Sequence, residues 1–176
     1  MKKSAIIFAA IVMMVVFTTS LKAQTNTENT TAGAKIVSAL TILETQALHF
    51  GTMAIPTSAS TVLLTPANVR SVASGTISLL AQAPVATNAA YTVAGMPDAT
   101  YAIALPNNTA VTITSGANHM HVTDFVANTT STNSSTSGLL SGGGADGIAV
   151  GATLNLDNVQ PAGVYSGTFD ITVNYN

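Results

Sequence analysis

Apolar and polar residues alternate with a period of two along much of this chain. Near its end Tyr165, Gly167, Phe169, Ile171, Val173 and Tyr175 alternate with Ser166, Thr168, Asp170, Thr172 and Asn174, so an extended strand would bury one set and wet the other. Val150, Ala152, Leu154 and Leu156 alternate in the same way with Gly151, Thr153 and Asn155, and residues 160–163 supply a turn between these two strands. Tyr101, Ile103 and Leu105 share one face of 99–105, which stops at Pro106. Gly95-Met96-Pro97-Asp98 reads as the turn of a hairpin joining residues 91–94 to 100–105. Further strands are predicted over 35–43, 46–50, 61–65, 76–81, 89–94, 109–114 and 119–127. No window of eleven or more residues keeps a 3.6-residue period, so the pattern predicts an all-β antiparallel sandwich rather than βαβ units.

Two stretches depart from this pattern at the start of the chain. Lys2 and Lys3 precede an apolar run from Ala5 to Phe17, then polar residues and Leu21-Lys22-Ala23-Gln24. This order is that of a secretory signal peptide over 1–23, cut between Ala23 and Gln24. The apolar run has 13 residues, short of the roughly 18 that span a bilayer, so no membrane span is expected after cleavage. Residues 24–33 are small and polar without period and read as a flexible N-terminal arm, leaving 34–176 as a single domain. Residues 128–147 are low in complexity and read as a mobile surface loop or a binding loop, the first preferred because they lack the aromatics that anchor a binding loop.

Composition narrows the function. Only 7% of the 176 residues are charged, against about 25% in ordinary soluble domains. After removal of 1–23, Lys35 and Arg70 stand against seven Asp and Glu, a net charge of −5. Two cations make no footprint for nucleic acid or anionic lipid. The absence of Cys excludes disulfides, thiolate metal sites and thiol nucleophiles, so stability must come from a core.

No catalytic constellation emerges. His119 and His121 point the same way from a strand with Asp124 nearby, and His49 or a carboxylate could complete a metal site. The pair equally fits the solvent face of a strand whose other face holds Met120 and Val122, and no cofactor is expected. The glycines of 142–147 lack the Lys-Ser/Thr of a phosphate loop, and no G-x-S-x-G elbow occurs. The chain is therefore read as non-enzymatic. Asn29, Asn107, Asn128 and Asn133 begin N-x-Ser/Thr triplets that mark surface loops, and Tyr91, Tyr101, Tyr165 and Tyr175 are expected to pack in the core rather than stack on sugars.

The segments 150–156 and 161–175, with Leu48-His49-Phe50-Gly51, Val93-Ala94-Gly95 and 101–106, resemble in order and spacing the recurring pieces of a bacterial secreted family known as domain of unknown function 4402. The closing strand also resembles that of chaperone–usher pilins and the spore-coat-U group, with Tyr175 second from the end and Gly163 fourteenth. The pilin resemblance implies an immunoglobulin-like sandwich lacking one strand, the gap being filled by a neighbour's N-terminal extension. Many such pilins carry a disulfide, and this chain has none. The partners so implied are further copies or related surface subunits and a periplasmic chaperone, at the surface of a Gram-negative bacterium.

A donor strand needs apolar residues at alternate positions. Ala32, Ala34, Ile36, Leu40 and Ile42 share one parity, broken at Ser38, whereas Val37, Ala39 and Leu43 occupy the other, as in an ordinary first strand. The expected assembly residues are Ala34, Ile36, Leu40, Ile42, Gly163, Tyr165, Phe169, Ile171, Val173 and Tyr175. The expected function is an exported structural or adhesive surface subunit that assembles by strand donation; the alternative is a monomeric secreted module binding carbohydrate or a surface ligand.

Overall fold

The structure, a computed structural model, describes residues 25–106 and 111–176. The signal segment with Ala23 and Gln24 lies outside the described residues, as does the beginning of the strand expected at 109–114. The chain divides into two units, Met1–Lys35 and Ile36–Asn176. In the first, residues 25–35 are exposed and carry no regular secondary structure. Among the described residues no helix is long and apolar enough to cross a membrane.

The second unit is all-β and every strand pairing is antiparallel. Its axis is β11 (Ala145–Leu156). On one edge β11 pairs with β9 (Asn118–Thr129). On the other it pairs first with β6 (Ala89–Ala94) through Ala145–Val150 and then with β3 (Ser60–Leu64) through Ala152–Leu156. Each partner has one outer neighbour: β8 (Val111–Ser115) on β9, β1 (Thr41–Gln46) on β6, and β4 (Arg70–Ser74) on β3. A three-stranded sheet, β10 (Ser137–Leu139), β7 (Thr100–Ala104) and β12 (Thr172–Tyr175), and a short pair, β2 (His49–Phe50) with β5 (Ala86–Thr87), complete a curved β-sandwich.

The core has two clusters. One, between the three-stranded sheet and β6, β9 and the first half of β11, holds Val93, Tyr101, Ile103, Leu140, Ile148 and Val150. The other lies on the second half of β11 and on β3 and the start of β9, with Val62, Leu64, Met120, Val122, Leu154 and Leu156. In both, the alternate positions of β11 supply buried side chains, as its period of two requires.

Several elements differ from the sequence pattern. Residues 91–94 and 100–105 do not form a hairpin: β6 lies in the large sheet and β7 in the small one, so 95–99 is a corner between sheets. Residues 160–163 likewise begin a crossing from β11 to β12 rather than a hairpin turn. The first strand starts at Thr41, not 35, and pairs with its own β6, preceded by irregular chain. Residues 76–81 make one bridge, Met53 to Leu79, instead of a strand. The closing strand is laddered only over 172–175.

The segment 128–147 is not a mobile loop. It continues β9, contains β10 and starts β11, and Leu140 within it is fully buried. Asp146 gathers it: its carboxylate accepts the Tyr101 hydroxyl at 2.8 Å, the Ser131 N–H at 3.1 Å and the Gly147 N–H at 2.8 Å. Burial first, then the hydrogen bond and charge of Asp146, raise the Tyr101 phenol above its ordinary value. Gly138 lies against the Tyr101 ring, where a Cβ would collide with it.

Candidate functional site

Over the second core cluster the sandwich is open. Residues 47–56 and 160–169 stand as two walls of an apolar groove of about 610 Å³, floored by Tyr91, Ile113, Met120, Val122, Phe125 and Leu154. Among the described residues no strand pairing joins the walls; the backbone bond from Val159 N–H to Pro56 O, 3.1 Å, links the chain beside them.

The first wall is braced from behind. Its Met53 bridges Leu79, Ala54 N–H donates to Ser78 O at 2.9 Å, and Leu80 N–H donates to Thr52 O at 3.0 Å. The Arg70 guanidinium reaches across from β4 to the carbonyls of Phe50 (2.8 Å), Thr52 (3.1 Å) and Leu80 (2.8 Å). Gly51 has φ +77°, and a Cβ there would strike that guanidinium, so the tight turn and the brace require each other.

The second wall is held more sparsely. Thr114 and Ser166 exchange backbone hydrogen bonds of 2.9 and 3.0 Å, which tack it to β8. At its base the buried Gln160 amide donates to His119 O at 3.1 Å and to the Tyr165 hydroxyl at 3.0 Å, and that hydroxyl donates to Pro161 O at 2.8 Å. A Cβ on Gly163 would crowd Ser115 and one on Gly167 would meet Thr112 O at 2.7 Å, so glycines let this wall lie close on β8. Phe169 stacks on Phe125 with ring centroids 4.7 Å apart. Tyr91 sits where sealed core meets groove; burial, and secondarily the charge of Glu44 opposite it on β1, push its phenol up to about 12.

The expected assembly residues fall into three groups. Ala34 and Ile36 are free, with Ile36 97% exposed. Gly163, Tyr165 and Phe169 line the groove. Leu40, Ile42, Ile171, Val173 and Tyr175 pack against the sealed cluster of their own chain. Tyr175 has a further role: its hydroxyl accepts the Met96 N–H at 2.6 Å and donates to Ser38 O at 2.9 Å, pinning the root of the arm to the 95–99 corner. Residues 47–56 and Arg70 were not among the expected assembly residues; the recurring piece Leu48-His49-Phe50-Gly51 and the isolated Arg were the available signals.

The histidines do not converge on a metal site. His119 and His121 are exposed with ring centroids 5.3 Å apart, while His49 accepts the Gly51 N–H through Nδ1 at 2.8 Å on the groove wall. Among the described residues no three His, Cys, Asp or Glu side chains are grouped to hold an ion.

No curated protein and no solved structure matches the sequence. The model of one family, domain of unknown function DUF4402, matches residues 40–175, which takes in every described strand and both groove walls; the chain belongs to that family.

Proposed function

We propose that the protein is an exported structural or adhesive subunit of a cell surface, and that it assembles by receiving an extended apolar strand in the groove between 47–56 and 160–169. The groove itself carries this reading: it has an apolar floor and two backbone walls that no strand ladder connects. A peptide laid between them would gain main-chain hydrogen bonds from the walls and bury alternate side chains on Met120, Val122 and Leu154. Its chemistry is that of binding, since the lining is mainly apolar and the polar groups at its base, Gln160 and Tyr165, are engaged with each other and with backbone carbonyls.

The chain carries a matching segment of its own. The arm before Ser38 is exposed, and Ala32, Ala34 and Ile36 alternate along it. Strand β11 acts as a ruler between arm and groove. Its Ala145 end pairs with Ala94, beside the corner where Tyr175 holds Ser38, and its Leu156 end underlies the groove. Those ends are about 36 Å apart at ordinary strand rise. An arm that leaves the fold at one end of β11 and a groove that runs on to the other end favour a head-to-tail contact, which propagates into a filament rather than closing as a dimer.

Electron microscopy and sedimentation of the mature chain test this. Filaments that disappear on deletion of residues 25–36, with the deleted protein remaining a folded monomer, are expected. A mature chain that stays monomeric at all concentrations, and whose groove-facing amides exchange identically with and without added arm peptide, overturns the reading.

A further inference from the structure

Glu44 lines the groove on its first-wall side and is the one Asp, Glu, Lys or Arg among the described lining residues. It lies on β1, an edge strand whose outer side has no partner among the described residues, directly opposite Tyr91. Its carboxylate is exposed and makes no hydrogen bond or ion pair among the described residues, while its field reaches the Tyr91 phenol. An unengaged anion at the rim of an apolar cleft is a point of selection: it disfavours an anionic occupant and favours one that brings a cation.

Residues 25–176 contain one lysine, Lys35, and it lies in the exposed arm between Ala34 and Ile36. With Ala34 and Ile36 directed into the groove, Lys35 takes the other parity and its long stem reaches the rim. We infer that Glu44 selects the occupant of the groove and fixes its register by pairing with Lys35 from the arm of a second copy of this chain. This rests on the strand-receiving role of the groove and adds which segment enters and where it stops. Without such a stop, small side chains such as Ala32 and Ala34 would tolerate slippage by two residues.

A charge-swap cycle tests the pairing. A fluorescent peptide of residues 25–38, and its Lys35→Glu form, are titrated by anisotropy against the mature protein and its Glu44→Lys variant. Each single reversal is expected to weaken binding roughly five-fold, as loss of an exposed ion pair with added repulsion would, and the double reversal to restore it. The differences should narrow with rising ionic strength. The Glu44→Gln variant, with unaltered melting, should show the intermediate loss of a missing attraction without repulsion. Equal affinity of both peptides for the wild-type protein, or losses that add without rescue, overturns the pairing while leaving groove occupancy standing. If neither peptide binds any of the proteins, the strand-receiving role itself falls.

Discussion

The two halves of the sandwich share β11 and the same alternation of buried residues, yet one is sealed and the other open. Under β10, β7 and β12, the core is capped by a hydrogen-bonded sheet whose loops are gathered by Asp146. Over Met120, Val122 and Leu154, the covering chain is two walls, one braced by Arg70 and one tacked to β8 by Ser166. Apolar patterning on the floor is therefore alike in both halves, and the difference lies in where the backbone of the cover finds its partners. The cap has its ladder complete, whereas among the described residues no ladder joins the two walls above the apolar floor.

The contrast can be broken most forcefully from the sealed side. Leu140→Ala, at a fully buried site, should cost about 3 kcal/mol in denaturant unfolding, whereas Ile113→Ala, half-exposed on the groove floor, should cost about 1 kcal/mol. Equal losses would mean that the groove is closed in solution. Arg70→Met should come next, at about 2 kcal/mol, because three carbonyls lose a charged donor. Its accompanying sign is faster amide exchange at residues 52–54 and 80, with no change in the Asp146 network. Alkali should then act on both halves. Tyr91 and Tyr101 remain protonated in the folded chain where unfolded phenols ionise, so the folded state binds more protons. Stability should be intact below pH about 10 and fall as pH rises through the Tyr91 value of about 12. Tyr91→Phe should flatten that fall in a melting series. The smallest effect belongs to Tyr175→Phe, about 1 kcal/mol, with protease cleavage newly detectable around Ser38 as the arm root loosens.

Strands with one apolar face were legible in the sequence: β6, β7, β9 and the later half of β11 lie close to where the alternation puts them. Their assignment to sheets was not. Gly95-Met96-Pro97-Asp98 has turn chemistry, and a turn that joins two sheets uses the same residues as one that joins paired strands. The start of β11, Ala145-Asp146-Gly147, has poor strand propensity and is fixed by tertiary hydrogen bonds to Asp146. Edge strand β4, Arg70–Ser74, has too little alternation to declare itself. At the site, Gly163, Tyr165 and Phe169 were readable from the closing pattern. The first wall was not, because 51–56 holds its shape through carbonyls bound to Arg70 and the 78–80 backbone, and backbone partnerships leave no side-chain signature.

The threefold pairing of β11 also bears on the order in which the molecule can form. β1 with β6, β3 with β4, and β8 with β9 are three two-stranded pieces, each marginal alone in water. Among the described residues their ladders join only through β11, which reaches back to partners as distant in sequence as Ser60. Until residues 145–156 are in place, three ribbons with open edges coexist in one chain nearly free of charge. Folding should accordingly be slow and all-or-none, with aggregation risk concentrated in the interval before β11 joins them.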